Sequence, residues 1–171
     1  ELTLTALVLA VGIAIPLGVL AAAKQGTWID HLCRVVTTAG VSLPVFFTGL
    51  LFAYLFYYVL QWAPAPSGRL DAFLSPPDPL TGFYVVDAAL TGNLEVLWGA
   101  LRQLALPAIS MAIFSLAPLA RMTRGSMLSV LGSDFIRTAH AMGLSRLRII
   151  VAYAFRNALL PVLTITGIVF S

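Results

Sequence analysis

The sequence contains few of the side chains that carry out chemistry, and their spacing forms no familiar catalytic motif. Its single lysine, Lys24, follows an alanine, whereas a phosphate-binding loop needs Gly-Lys followed by Ser or Thr. The two histidines, His31 and His140, stand apart, and the chain contains no His-Glu-x-x-His. The single cysteine, Cys33, excludes an internal disulfide and has no metal-ligand partner nearby. We therefore predict that the chain is not an enzyme, holds no metal and binds no cofactor.

Composition indicates that most of the chain lies in a bilayer. Of the 171 residues, 60% are hydrophobic and only 10% are charged. A soluble domain carries about 25% charged residues, so most of this chain is not suited to face water. We predict an all-α fold, a polytopic bundle of transmembrane helices, and the sequence gives no reason to expect a nucleic acid partner.

Four apolar runs are candidate membrane spans, since about 20 apolar residues cross the hydrocarbon core. The predicted spans are 2–23, 35–62, 99–119 and 158–171. The second is so long that it must tilt, kink at Pro44 or project beyond the bilayer, and the fourth is too short to cross. Because the chain begins at Glu1 and ends inside an apolar run, we expect a fragment truncated at both ends, holding about four of five to six spans of a single transmembrane domain, 1–171.

The distribution of basic residues predicts the orientation. The segment 24–34 carries Lys24 and Arg34, the segment 63–98 carries mainly acids, and the segment 121–157 carries six arginines. Lys and Arg remain on the cytoplasmic side. We therefore predict that loops 24–34 and 121–157 are cytoplasmic, that loop 63–98 is external and irregular because of its prolines, and that Glu1 lies outside.

Small residues recur at every fourth position of the first span and predict a helix-packing seam. Small side chains on one helix face allow another backbone to approach closely. The seam consists of Ala6, Ala10, Ala14, Gly18 and Ala22. Hydroxyl groups in the spans either line a polar path or bond back to their own helix, and the sequence leaves both interpretations open. These residues are Thr37, Thr38, Ser42, Thr48, Ser110 and Ser115.

The loop 121–157 is patterned as two short helices joined by a Gly-Leu-Ser turn. Ser133 is placed to cap the first helix, and apolar residues then recur at helical spacing: Phe135, Ile136, Ala139 and Met142. Gly143 ends that helix because glycine readily adopts the left-handed conformation, and Ser145 caps the next. Such a hairpin lies in the headgroups, packs on its own bundle or docks a soluble partner, and composition does not choose among these.

The stretch 134–145, Asp-Phe-Ile-Arg-Thr-Ala-His-Ala-Met-Gly-Leu-Ser, resembles the signature loop of binding-protein-dependent ABC transporter permeases. Together with the following Arg-Asn-Ala-Leu-Leu-Pro at 156–161, it most resembles the dipeptide, oligopeptide and nickel branch. The stretches 91–93, 106–108 and 120–128 are also similar to that branch. Of the family's general Glu-Ala-Ala-x-x-x-Gly pattern, only Ala139 and Gly143 match literally.

The resemblance implies a type I importer permease whose cytoplasmic loop holds a helix that docks on an ATPase. The implied coupling residues are Asp134, Arg137, Thr138, Ala139, His140, Gly143, Leu144 and Ser145, and the implied loop-end motif is Asn157, Leu160 and Pro161. It also implies a second, homologous permease subunit, two cytoplasmic ATPase subunits that use the ATP, and an extracytoplasmic substrate-binding protein, in the plasma (inner) membrane. Anionic membrane lipid is a further expected partner of the loop arginines.

The expected function is the translocation path of an ATP-driven importer of di- or oligopeptides. Nickel, glutathione and oligosaccharide importers are the alternatives within the same family. An intramembrane enzyme is the alternative from another class. An intramembrane serine protease would need a histidine within a span and a Gly-x-Ser-x-Gly-like nucleophile site, and the sequence has neither, since both histidines lie in predicted loops. No acidic, lysine or histidine side chain lies at the centre of a span, which argues against a proton-driven or ion-driven carrier.

Overall fold

The computed structural model describes residues 1–39, 43–71 and 73–170, and every regular element in these ranges is helical. The predicted all-α fold is therefore confirmed. In chain order, the helices of these ranges are α1 (Leu2–Ala23), α2 (Trp28–Ala39), α3 (Val45–Val59), α4 (Tyr84–Leu90), α5 (Leu94–Leu131), α6 (Asp134–Ala141) and α7 (Arg146–Val169). Within α3 and α7 the segments Ala53–Val59 and Ile149–Phe155 are π-helical.

Three helices in the described ranges are long and apolar enough to cross a membrane: α1, α5 and α7. The first predicted span matches α1 from its first residue to its last. The third predicted span lies inside α5. The fourth lies within α7 apart from its last two residues, and α7 starts earlier, at Arg146. Its end, Ser171, lies outside the described residues.

The second predicted span, 35–62, is not one helix over its described residues, which corrects the sequence-based boundaries. Residues 40–42, which include Ser42, lie outside the described residues. On either side of them stand α2, which starts at Trp28, and α3, which ends at Val59. Pro44 precedes α3 with an extended backbone, φ −59° and ψ 143°. Proline has no N–H to donate and disfavours helix at the preceding residue, so α3 begins after it.

Helix α5 is much longer than the predicted span and absorbs the start of the predicted loop 121–157. It covers 38 residues and ends only at Leu131, before Gly132. The reason is that buried residues continue at helical spacing past the apolar run, at Ala120, Thr123 and Met127. A helix can therefore continue after its hydropathy has fallen.

The stretch 63–98 is irregular only in its first part. Its prolines all precede Leu80, where no helix forms in the described residues. The prediction of an irregular loop is wrong for the rest, because α4 occupies Tyr84–Leu90 and α5 already starts at Leu94. Ala72 lies outside the described residues.

The chain forms two compact units. Unit 1 contains residues 1–6 and 43–112, and unit 2 contains residues 7–42 and 113–171. The core of unit 2 lies where α1, α5, α6 and α7 meet, and it is built from Ala22, Met127, Ile136, Ala139, Ile149, Ala154 and Ala158. Four of these seven are alanines, so the helix backbones approach one another closely there.

Candidate functional site

Helix α6 starts where the sequence predicts, but neither predicted serine cap is made by a side chain. Ser133 has the extended backbone of a cap residue, φ −77° and ψ 156°, without a side-chain cap bond. Its hydroxyl donates instead to the carbonyl of Val130, at the end of α5. Ser145 stands in the same position before α7 and also makes no side-chain cap bond.

One side of α6 packs on unit 2 itself. Ile136 and Ala139 are buried in the unit's core, with 2% and 4% of their surface exposed. Phe135 and Met142, expected on the same apolar stripe, are instead 45% and 73% exposed. The expected stripe is therefore divided between the core and the outer surface. Ala139 therefore anchors α6 to its own bundle, and its role in coupling to an ATPase stays a prediction.

The outer surface of α6 is mixed in chemistry. Beside Phe135 and Met142 it exposes Thr138, Arg137 and His140. Arg137 forms an ion pair of 3.3 Å with Asp134, and both side chains are largely exposed. A pair that is so exposed to solvent contributes little stability, about 0–1 kcal/mol. This surface thus offers apolar contact, hydrogen-bonding groups and charge at once.

The end of α6 has the geometry predicted from Gly143. The glycine adopts a φ of 76°. Its N–H donates to the carbonyl of His140 at 3.0 Å, and the N–H of Leu144 donates to the carbonyl of Ala139 at 3.2 Å. These two bonds satisfy carbonyls that the helix end would leave unpaired, as in a Schellman motif. A Cβ at Gly143 would meet nothing within 4 Å, so the site requires glycine for its backbone conformation rather than for space.

The remaining loop residues are placed along α7. Asn157 lies on α7, and its side-chain amide donates to the carbonyl of Tyr153 at 2.7 Å. Leu160 is 76% exposed, and Pro161 lies inside α7. Arg146 donates to the carbonyl of Ala23 at 2.7 Å, at the end of α1.

An ion pair that the sequence did not predict connects α2 to α5. Arg124 donates from Nε and one terminal nitrogen to the two carboxylate oxygens of Asp30, each at 2.8 Å. The N–H of Gly26 adds a third bond at 3.1 Å, and Asp30 is only 1% exposed. The hydrogen bond from Arg124, supported by that of Gly26, lowers the pKa of Asp30 to about 2, against the opposing effect of burial.

The seam of α1 is buried along its whole length. Ala6, Ala10 and Ala14 are 0% exposed, and Gly18 and Ala22 are also buried. At Gly18 a Cβ would lie 2.6 Å from the Cβ of Thr123 and 2.8 Å from the carbonyl oxygen of Ala120. In unit 2, therefore, α1 and α5 approach so closely that only glycine fits.

Three of the six hydroxyl groups predicted to lie in spans bond to their own helices. Thr37, Thr48 and Ser110 are buried and donate to the carbonyls three or four residues earlier. Thr38 is exposed and Ser115 is buried. The structure therefore favours the local interpretation for Thr37, Thr48 and Ser110.

Within unit 1, hydrogen bonds that the sequence did not predict hold the stretch 63–92 in its conformation. Arg69 donates to the carboxylate of Glu1 at 3.1 Å and to the carbonyl of Gly82 at 3.0 Å, and it stacks 4.0 Å from the ring centre of Tyr84. Asp87 accepts bonds from the N–H and hydroxyl of Thr81 and from the N–H of Gly82, at 2.6–3.0 Å. The hydroxyl of Thr81 is the main cause of the lowered pKa of Asp87.

Comparison with known proteins places this arrangement of helices in a family. Residues 14–171 match the family described as the inner membrane component of binding-protein-dependent transport systems. The chain therefore belongs to this family of membrane permeases.

The curated relatives are named as peptide permeases. The chain is 47% identical to the probable D,D-dipeptide transport system permease of Escherichia coli K12 and 43% identical to that strain's dipeptide transport system permease. It is 45% identical to the di/tripeptide transport system permease of Pseudomonas aeruginosa UCBPP-PA14. Each comparison covers 98% of this chain but only 49–50% of the relative, so the chain spans about half the length of the relatives it matches.

Proposed function

We propose that this chain is the permease subunit of an ATP-driven ABC importer of di- and oligopeptides. The observation that carries the proposal is identity of 43–47% over 98% of the chain to permeases named for dipeptide or tripeptide transport. The geometry of α6 supports the same function, because it is a short helix held to the bundle on one side and free on the other. No contact among the described residues favours transport of nickel, glutathione or an oligosaccharide.

In this proposal α6 transmits the motion of an ATPase to the transmembrane helices. Ile136 and Ala139 fix α6 to α1, α5 and α7 through the core of unit 2. A displacement of α6 by a bound partner then moves those helices as well, because the closely packed core between them is not readily compressed. Phe135, Thr138 and Met142 provide the surface on which the ATPase docks, with Arg137 and His140 beside them.

The proposed assembly contains a second permease subunit, two cytoplasmic ATPases that bind and hydrolyse the ATP, and an extracytoplasmic binding protein. Loops 24–34 and 121–157 face the cytoplasm in it, and Glu1 and residues 63–98 face outward. The support is the excess of arginine in 121–157. Since the chain has no Gly-Lys-Ser/Thr sequence, we assign the nucleotide site to the ATPase subunits.

The test is uptake by the complete transporter reconstituted in vesicles. We expect ATP-dependent uptake of a labelled dipeptide and no uptake of Ni²⁺ or an oligosaccharide under the same conditions. Uptake of Ni²⁺ without uptake of peptide would assign the chain to another substrate class. Failure to transport any of these with ATP would overturn the importer function.

The docking surface needs its own variants. Phe135→Ala and Met142→Ala remove exposed apolar contacts, so we expect weaker co-purification of the ATPase with normal insertion. Leu80→Ala is the matched control, since Leu80 is 64% exposed but lies in unit 1. Ala139→Asp is unsuitable, because it places a charge in the core of unit 2 and destabilises the permease itself. If Phe135→Ala and Met142→Ala leave the ATPase bound as tightly as Leu80→Ala does, α6 is not the docking surface.

A further inference from the structure

Unit 1 contains a cavity of about 450 Å³ between α3, the start of α5 and the proline-containing stretch after α3. From α3 it is lined by residues including Val45, Gly49 and Ala53, and from α5 by residues including Leu106 and Pro107. Pockets that bind small molecules have volumes of about 300–1,000 Å³ and are mostly apolar with a few polar groups. The cavity fits that description, and none of the proposed coupling residues lines it.

Among the described residues that line the cavity, Arg102 alone is charged. Its guanidinium lies 5.6 Å from the ring centre of Trp98, within the range of a cation–π contact. In the part of the chain that the structure describes, no carboxylate forms an ion pair with Arg102. The described lining thus contains one cation, in contact with an aromatic ring, and no anion to balance it.

The other polar groups of the lining are largely engaged. The buried amide of Gln103 donates to the hydroxyl of Ser67 at 3.1 Å, and Ser110 donates to the carbonyl of Leu106 at 2.9 Å. These bonds hold the polar side chains to the protein and leave apolar walls. A complementary ligand therefore presents an apolar group and an anionic group to the cavity, as the C-terminal residue of a short peptide does with its side chain and its carboxylate.

We propose that this cavity is a peptide subsite of the permease, in which Arg102 binds the C-terminal carboxylate and the walls of α3 and α5 contact an apolar side chain. The proposal rests on the proposed importer function and adds a recognition site to it. Guanidinium and carboxylate match in geometry and form paired, charge-assisted hydrogen bonds. Apolar walls strengthen those bonds by excluding water.

The experiment follows protection of an introduced cysteine by peptide. In a Cys33→Ala background, Ala53→Cys places a thiol in the cavity wall. Leu55→Cys, on the same helix and outside the lining, is the control. The permease–ATPase complex in phosphatidylcholine vesicles is labelled with a maleimide, with and without L-alanyl-L-phenylalanine or its C-terminal amide. We expect the free acid to slow labelling of Ala53→Cys and to leave Leu55→Cys unchanged.

Arg102 is tested in the same assay. Removing hydrogen bonds to a charged group weakens binding by about ten-fold or more, so Arg102→Gln should need that much more peptide for equal protection. Arg102→Lys should restore part of the protection, and the peptide amide should protect Ala53→Cys poorly even where Arg102 is kept. ATPase co-purification and labelling of Leu55→Cys check that each variant is assembled.

The outcomes separate this proposal from the importer function. If the complete transporter takes up the peptide but no peptide slows labelling of Ala53→Cys, the subsite is wrong and the importer function stands. If labelling is slowed by phosphatidylglycerol vesicles and not by peptide, the cavity is a lipid site and the proposal fails. Protection by peptide without ATP-driven uptake would support the subsite and count against the importer.

Discussion

Arg124 on α5 holds the carboxylate of Asp30 on α2 with two hydrogen bonds of 2.8 Å, in the same unit as α6. Asp30 is buried, whereas the side chain of Arg124 is 23% exposed. Paired charge-assisted hydrogen bonds are directional as well as strong. The pair therefore fixes where the start of α2 lies against α5.

We expect Asp30→Asn to destabilise the protein by about 1.5–3 kcal/mol, the range for a hydrogen bond to a charged group. Arg34→Gln is the matched control. Arg34 also approaches Asp30, but at 3.7 Å and with 48% of its side chain exposed, so its loss should cost less than about 1 kcal/mol. Thermal unfolding in detergent measures both. Equal effects of the two variants would show that Arg124 is not the main partner of Asp30.

The same pair predicts a dependence of stability on pH. The pKa of Asp30 is lowered from 3.8 to about 2 in the folded state. A lowered pKa contributes stability that is fully present above the unfolded pKa and is lost as the pH falls toward the folded pKa. The difference in unfolding midpoint between wild type and Asp30→Asn should thus be constant above pH of about 4 and shrink between about 4 and 2. A difference that persists unchanged at pH 2 would contradict this.

Two glycines of α1 provide a matched pair for the packing seam. A Cβ at Gly18 would clash with Thr123 and with the backbone of Ala120, whereas a Cβ at Gly12 would meet nothing within 4 Å. Gly18→Ala should therefore destabilise unit 2 by about 1–3 kcal/mol. Gly12→Ala should be neutral or stabilising by up to about 1 kcal/mol, because alanine favours helix. Thermal unfolding in detergent measures the stability of both variants. Similar results for the two would refute the close approach of α1 and α5.

At Gly143 the cost of substitution is conformational. Alanine at φ 76° should cost roughly 1 kcal/mol, whereas asparagine, which tolerates left-handed backbone, should cost less. Thermal stability should therefore fall in the order wild type, Gly143→Asn, Gly143→Ala, and co-purification of the ATPase should follow the same order. If Gly143→Ala behaves as wild type in both measurements, the left-handed turn is not needed.

The orientation can be tested with single cysteines in the Cys33→Ala background. Ser67 and Ser145 are both exposed, in units 1 and 2 respectively. We expect an impermeant thiol reagent to label Ser67→Cys on intact cells, and Ser145→Cys only after the membrane is opened. The reverse pattern would invert the proposed topology.

The sequence by itself determined the all-α class, the full extent of α1, the family and the glycine turn at Gly143. Each of these features depends on local information: the hydropathy of a segment, a short sequence motif, or the backbone freedom of one residue. It did not determine the end of α5, because a helix continues beyond the apolar run when one face remains buried, as at Met127.

Tertiary structure alone decided which apolar residues of α6 are buried and which acids are paired. Phe135 and Ile136 are adjacent in sequence and equally apolar, and only the neighbouring α1, α5 and α7 determine that Ile136 enters the core. Asp30 and Arg124 are 94 positions apart. No sequence motif contains both residues. Their pairing therefore depends on how α2 packs against α5, which no local pattern encodes.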